Sequence, residues 1–298
     1  MFKKAFWLYE HMIILEILFN WMLLSLLYAL IGLPMSLLWG STRVVNVAQG
    51  EVIMLGAYTA FSLLIFFGIN PLYAFLVCAA WSSLLGFLLY KGAFSMFIFK
   101  HKETEKSSIL FTFALSNIVI NAGLLMWGAQ LRGYKIMTEH IVLPGLVVSL
   151  NRIFVIIVCF AAIVTILILL HKTWFGKIVR ASIDNRVEAQ LCGINPDVVY
   201  LACTFISFLI TSFSGILIST IYDISPNMGF FYTMIAFLVA MIGGLGNIKG
   251  CLVAGFIVGF VQTAVGYLMS GGVALTMVYF MFVIIICLRP EGIFNWAK

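Results

Sequence analysis

The sequence predicts an all-α fold: a polytopic transmembrane bundle of about eight or nine spanning helices, with one short helix between two of the spans. The composition is the first reason, because 63% of the 298 residues are hydrophobic and only 9% are charged, whereas soluble domains are roughly a quarter charged. The second reason is that apolar runs recur at about the 20-residue length that a spanning helix needs. Lipid is therefore expected to be the main solvent of this chain.

The candidate spans follow one another with short connections. In chain order they lie at 12–39, 45–68, 71–90, 108–129, 152–171, 198–221, 231–248, 251–270 and 272–288. The seventh and eighth form either one broken span or two short ones. Because little chain remains outside these runs, we expect a single transmembrane domain over 1–298.

Basic residues indicate the orientation, because cytoplasmic loops of membrane proteins are enriched in lysine and arginine. The segments 91–108 and 171–197 are both basic, and two spans separate them, so both are placed in the cytoplasm and 130–151 outside. Counting back through three spans puts the N-terminus outside, whereas Lys3 and Lys4 favour the inside. The orientation of the N-terminus therefore stays open.

Several function classes are excluded by absent patterns in the sequence. The net charge of +6 does not indicate a nucleic-acid surface, because the basic residues are not interleaved with aromatic residues. The six cysteines show no CxxC spacing, and no two of the four histidines share metal-ligand spacing, so we expect no metal site. A phosphate-binding GxxxxGK[ST] loop and a convergent catalytic set are both missing. We therefore expect neither an enzyme nor an ATPase, and no catalytic residue.

The connection 172–197 differs from the others because it predicts an amphipathic helix over 176–192. Its apolar ridge repeats every four residues and consists of Val179, Ile183, Val187 and Leu191. A charged ridge of Arg180, Asp184 and Glu188 runs beside it. Gly193 is suited to end this helix, and Pro196 prevents its continuation. Such a helix lies either in the lipid interface or in a groove of a partner protein.

Two glycine-rich breaks interrupt the apolar runs. The first, 40–51, contains Asn46, Gln49 and Glu51, and the second, 243–250, contains Gly243, Gly244 and Gly246. Irregular backbone at membrane depth is tolerated only when it is buried in protein or lines water. Both breaks are therefore candidate pathway or hinge elements, and the alternative is a plain cytoplasmic turn.

Polar residues inside the spans are few. Asn117 and Asn121 are four residues apart, so they share one helix face, either as part of a pathway or as interhelical hydrogen bonds. No series of buried acids forms a proton relay, which an ion-coupled carrier usually needs. An importer driven from outside the membrane is favoured over an ion-gradient carrier acting alone and over a purely structural subunit.

Several segments together resemble one known family. VNVAQGE at 45–51 with MLGAY at 54–58, the stretch from Gly176 to Asn195, GGLGNIKG at 243–250, and RPEGIF at 289–294 resemble signatures of the branched-chain amino-acid ABC permeases of the LivH type. Asn121 and LMWG at 125–128 are similar to a further stretch. The matches run in order over nearly the whole chain, from about residue 30 to 294.

The resemblance implies a permease subunit of an ABC importer in the bacterial cytoplasmic (inner) membrane. It implies four kinds of partner: a second, LivM-like permease, two cytoplasmic ATPases, an extracytoplasmic solute-binding protein, and membrane lipid. ATP would be used by the partner subunits, and this chain would bind no cofactor. The solute would be a branched-chain or similar small amino acid, or in relatives urea or an amide.

The resemblance also assigns roles to the residues above. The helix in 172–197 becomes a coupling helix that inserts into the ATPase, with Arg180, Asp184, Arg186, Glu188 and Gly193 fixing its register. The two breaks, with Asn117 and Asn121, become the substrate pathway. Gln49 stands where the family usually has histidine, and Lys249 stands where proline is common. Gln49 cannot change charge near neutral pH as histidine can, and this difference bears on the solute more than on the class of transporter.

Overall fold

The computed structural model describes residues 2–68, 73–98, 104–134, 139–143, 146–289 and 292–294. Within these ranges the chain forms α-helices, one π-helical segment at Tyr90–Ile98 and one short β-hairpin. The helices are α1 Phe2–Thr42, α2 Gln49–Phe67, α3 Ala74–Leu89, α4 Thr104–Trp127, α5 Leu150–Lys172, α6 Trp174–Asp184, α7 Arg186–Leu191, α8 Pro196–Ser219, α9 Met228–Gly243, α10 Ile248–Leu268 and α11 Gly271–Leu288. The hairpin pairs β1, His140–Leu143, with β2, Leu146–Ser149.

Eight of the described helical segments are long and apolar enough to cross a membrane, which makes the chain a multi-pass membrane protein. They comprise α1 from Ile14 onwards, α2, α3 with its π-helical extension, α4, α5, α8, α10 and α11. The remaining predicted span, the seventh, is α9, which has 16 residues and is shorter than the about 20 residues of a full span. The predicted helical bundle is confirmed, and the seventh and eighth predicted spans are two separate helices.

α1 is the central helix of the bundle. From Ser25 to Leu38 every residue is buried, and the neighbours are chiefly α8, α9 and α10. The helix continues through Pro34. A helix that is apolar on all sides can be surrounded by other helices without leaving a polar face in contact with them.

Glycines bring α10 against α1 with their backbones almost in contact. A Cβ on Gly259 would lie 2.4 Å from the Ser25 hydroxyl, and one on Gly255 would lie 2.6 Å from the Ala29 backbone nitrogen. The two glycines are four residues apart and form the small-xxx-small pattern by which membrane helices associate closely. The Trp21 indole adds a hydrogen bond of 3.1 Å to the Phe256 carbonyl.

The connection predicted to be external, 130–151, contains more structure than a plain loop. Besides the hairpin, Arg132 and Ile224 form an isolated antiparallel bridge. The Asn151 side chain donates to the Thr220 carbonyl. This connection is therefore attached to the segment between α8 and α9.

We expect Gly259→Ala to destabilise the protein, because its Cβ overlaps Ser25 on α1 and overpacking typically costs about 1–3 kcal/mol. The measurement is the thermal unfolding midpoint of the purified protein in detergent. Gly266→Ala is the matched control, because a Cβ there meets only the Ala274 methyl at 3.7 Å. Equal midpoints for the two variants would contradict the close α1–α10 packing.

Candidate functional site

The break between α1 and α2 is buried inside the protein. From Val44 to Glu51 every residue is buried except Val47, which is half-buried. The chain leaves α1 at Arg43, whose φ of 59° is in the left-handed region. Its guanidinium lies over the Trp39 ring, 4.2 Å from the ring centre. The break is therefore irregular backbone that is buried in protein, and its role in the substrate pathway stays a prediction.

Hydroxyl groups of two other helices satisfy the backbone of this break. On α4, Ser108 accepts from the Val45 N–H at 3.1 Å, and Thr112 accepts from the Val47 N–H at 3.0 Å. On α9, the Thr233 hydroxyl accepts from the Gly50 N–H at 2.8 Å and donates to the Val47 carbonyl at 3.1 Å. The irregular backbone thus obtains from side chains the partners that lipid cannot supply.

Gln49 connects the break to the middle of α1. Its side-chain amide donates to the Ile31 carbonyl at 2.8 Å, and the residue is 2% exposed. Three residues further along α1 is Pro34, which has no N–H for the helical ladder. Gln49 therefore hydrogen-bonds the start of α2 to the part of α1 in which Pro34 has removed one helical backbone hydrogen bond.

Glu51 is a buried carboxyl group, and its own helix, α2, contains no basic residue. Ser116 donates to Oε1 at 2.8 Å, whereas Oε2 has no hydrogen-bond partner among the described residues. Glu51 lies in the first turn of α2, and it packs against Gly229 in the first turn of α9, where a Cβ would lie 2.8 Å from its Cδ. The positive ends of two helix dipoles therefore lie beside this group and favour a negative charge there.

A cavity of about 250 Å³ lies next to the break, among α1, α8, α9 and α10. It is lined by Leu24, Leu27, Tyr28, Ile31, Ile218, Tyr222, Phe231, Tyr232 and Gln262. The Tyr28 hydroxyl donates to Gln262 Oε1 at 2.7 Å. The cavity shares Ile31 with the Gln49 contact, and Tyr232 precedes the Thr233 that holds the break.

The sequence prediction of site residues missed this cavity. Tyr28 and Gln262 are 234 residues apart, so their pairing cannot be read from local spacing. The residue types gave one indication of such a site, because a tyrosine hydroxyl or an amide inside an apolar run needs a hydrogen-bond partner.

The second break forms a packed junction and does not line the cavity. A Cβ on Gly243 would lie 2.4 Å from the Cys251 nitrogen, and Gly244 and Gly246 have φ values of 87° and 85°. Asn247 caps α10 by accepting from the Gly250 N–H at 3.0 Å. The residues between α9 and α10 form a short turn in which Gly244 is buried and 245–247 are half-buried, and the pathway or hinge role of 243–250 stays a prediction.

Asn117 and Asn121 are both exposed on α4. Their side chains donate to backbone carbonyls of the same helix, Phe113 and Asn117, at 2.9 and 2.7 Å. The face of α4 that meets the break carries Ser108, Thr112 and Ser116 instead. The two asparagines share one face as predicted, but that face points away from the cavity.

The single helix predicted over 176–192 is wrong, because two helices, α6 and α7, replace it. The chain is extended at Asn185, with φ −150° and ψ 108°, and the Asn185 side chain accepts from the Val187 and Glu188 N–H groups. Its amide also donates to Glu188 Oε1 at 2.7 Å. A strong N-cap thus starts a new helix within an apolar repeat that would otherwise be continuous.

The apolar ridge is divided in the same way. Val179 is fully buried and Ile183 packs against the core, whereas Val187 and Leu191 are 63% and 84% exposed. α6 is thus part of the bundle, while α7 presents apolar side chains outward.

The charged residues of this connection differ in their surroundings. The Arg180 guanidinium donates to the Leu170 carbonyl at the end of α5, so it holds α6 against its own bundle. Asp184 and Glu188 are exposed, and the side chain of Arg186 lies outside the described residues. Gly193 has φ 82° and ends α7 as predicted, with Ile194 N–H bonded to the Ala189 carbonyl at 3.0 Å.

Comparison with known proteins gives a family match over most of the chain. The profile of the family described as "Branched-chain amino acid transport system / permease component" matches residues 17–288. The high-affinity branched-chain amino acid transport system permease protein LivH of Salmonella typhimurium is 25% identical, with 94% of each chain covered. BraD of Pseudomonas aeruginosa is also 25% identical, over 94% of this chain and 95% of its own.

A third relative matches over a smaller part of the chain. The probable branched-chain amino acid transport permease protein LivH of Methanocaldococcus jannaschii is 27% identical over 83% of this chain and 79% of its own. No solved structure matches the chain. The family match extends from within α1 to the end of α11, and on this extent the chain belongs to the family of branched-chain amino-acid transport system permease components.

Proposed function

We propose that this chain is the permease subunit of an ABC importer and forms the membrane path for a branched-chain or similar small amino acid. The observation that carries the proposal is the contrast between α6 and α7. α6 is anchored in the bundle through Val179 and Arg180, while α7 exposes Val187 and Leu191. Apolar side chains on a short exposed helix suit a groove in a partner protein.

α6 is placed to transmit force from such a partner to the bundle. The Ile183 side chain lies beside Gly40 at the end of α1, which itself packs against Gly246. Movement of α7 would therefore reach both breaks through a few direct contacts. We infer that two cytoplasmic ATPases bind here and use ATP, and that this chain binds no cofactor and catalyses no reaction.

The remaining partners and the location follow from the same proposal. A LivM-like second permease would complete the path, and an extracytoplasmic binding protein would deliver the solute. The membrane would be the bacterial cytoplasmic (inner) membrane. The printed names of the relatives, which specify branched-chain amino acid transport, support the solute class.

The exposed face of α4 supports a second membrane subunit. Asn117 and Asn121 lie in the middle of a helix that is apolar enough to span the membrane, yet both are exposed. Polar side chains within spans usually face protein or water, because lipid offers them no partner. We infer that this face meets the second permease, so that the two asparagines contribute to a path between the subunits.

We expect Leu191→Asp to uncouple transport, because a charge replaces an apolar side chain that would be buried in the ATPase groove. Uptake of radiolabelled leucine and ATP hydrolysis stimulated by the binding protein should both fall at least tenfold in reconstituted vesicles. Gln190→Asp, which introduces the same charge at the exposed neighbouring position, is the matched control and should retain most activity. Normal coupling in Leu191→Asp would exclude α7 as the lever.

We expect the double substitution Asn117→Leu, Asn121→Leu to weaken the pairing of the two permeases, since it removes both amides from the exposed α4 face. The measurement is the amount of second permease that co-purifies with this chain. Thr276→Val on α11, whose hydroxyl also donates within its own helix at 3.0 Å, controls for the loss of an exposed polar group. Unchanged co-purification of the double variant would place the subunit contact elsewhere.

A further inference from the structure

The cavity among α1, α8, α9 and α10 combines three kinds of surface. Leu24, Leu27 and Ile31 of α1 form an aliphatic wall. Tyr222, Phe231 and Tyr232 add aromatic rings, and the Phe231 and Tyr232 rings meet edge to face with centroids 5.1 Å apart. The polar side chain on the α10 side is Gln262.

The Tyr28–Gln262 bond fixes which atoms Gln262 can offer to a ligand. Because the Tyr28 hydroxyl donates to Oε1, the amide is oriented with Nε2 directed elsewhere. No hydrogen bond from Nε2 is found among the described residues, and the side chain lines the cavity. An oriented amide therefore retains two N–H donors for an anionic or carbonyl oxygen.

Charged side chains are absent from the described lining of the cavity. A solute with a charged side chain would carry a net charge and find no counter-charge there, and an uncompensated buried charge is costly. The ammonium and carboxylate groups of an α-amino acid, in contrast, compensate each other. Aromatic faces can still attract an ammonium group. Outside the lining, at the start of α5, Arg152 is bonded to Asn20 at 3.0 Å and lies near Tyr222. Burial raises the pKa of Tyr222, while Arg152 acts in the opposite direction.

We propose that this cavity is a solute-binding site within a single permease chain, for an α-amino acid with an uncharged aliphatic side chain. Nε2 of Gln262 donates to the carboxylate, the aromatic rings receive the ammonium group, and the α1 wall contacts the aliphatic side chain. The inference rests on the proposed transport function and adds to it the place and the residues of recognition. The cavity lies beside the break, so an occupied cavity also contacts the helices that hold α2.

The test uses the complete transporter, reconstituted with its ATPases and binding protein, and measures uptake of radiolabelled leucine. Gln262→Leu removes the donors. Gln262→Glu keeps the shape of the side chain but replaces the two N–H donors by a carboxyl group, which repels the solute carboxylate when ionised and has at most one O–H donor when protonated. Both should lower leucine uptake at least tenfold. Tyr28→Phe releases the amide from its fixed orientation and should lower uptake less than Gln262→Leu does. Tyr73→Phe, which removes a hydroxyl from a 62% exposed side chain at the start of α3 and outside the cavity lining, is the control for Tyr28→Phe.

The outcomes separate this inference from the transport function. If the wild-type transporter imports leucine and both Gln262 variants do so equally well, the cavity is not the binding site and the proposed function stands. If the wild-type transporter imports no amino acid with its partners present, the proposed function itself fails. Should Gln262→Leu not assemble, Gln262→Glu decides, with loss of uptake expected and normal uptake overturning the proposal.

Discussion

The structure depends on one constraint: backbone that leaves helical geometry within a membrane protein must find its hydrogen-bond partners in the protein. The break between α1 and α2 meets this constraint through Ser108 and Thr112 on α4 and Thr233 on α9. These contacts do more than satisfy the backbone. They fix α4 and α9 around the start of α2, and so they position Gln49 against α1 and Glu51 between two helix N-termini.

The break, the cavity and the loop helices are connected through direct contacts. Ile31, in the middle of α1, lines the cavity and accepts a hydrogen bond from Gln49. Near the C-terminal end of α1, Gly40 meets Ile183 of α6. A rigid, buried helix thus joins the region that would hold the solute to the helix that would meet the ATPase. Because α1 and α10 are closely packed, a small displacement of one helix is expected to displace the other.

The sequence predicted the helices well and their environment less well. Spans are recognisable because crossing lipid requires a long apolar run, and Gly193 was recognisable because ending a helix often requires a positive φ. The 176–192 helix failed at Asn185, where a capping side chain competes with an apolar repeat that continues unchanged. Periodicity alone does not reveal which of these two local preferences is stronger.

The site was harder to predict because its contacts join distant parts of the chain. The Tyr28–Gln262 bond requires α1 and α10 to be neighbours, and the setting of Glu51 requires the start of α9 beside the start of α2. Asn117 and Asn121 illustrate the reverse case, since their shared face was predicted but its direction was not. Which side of a helix faces the protein depends on its neighbours, and a single sequence does not specify these.

The most direct measurement of the central claim compares Thr233→Val with Thr204→Val in thermal unfolding of the purified protein. Both residues are buried, but Thr233 bonds the break whereas Thr204 donates to Tyr200 in its own helix at 2.8 Å. Thr233→Val leaves the buried Gly50 N–H and the half-buried Val47 carbonyl without this partner, and an unsatisfied buried group costs about 1–3 kcal/mol. The account predicts a clearly lower midpoint for Thr233→Val than for Thr204→Val, and equal midpoints would contradict it.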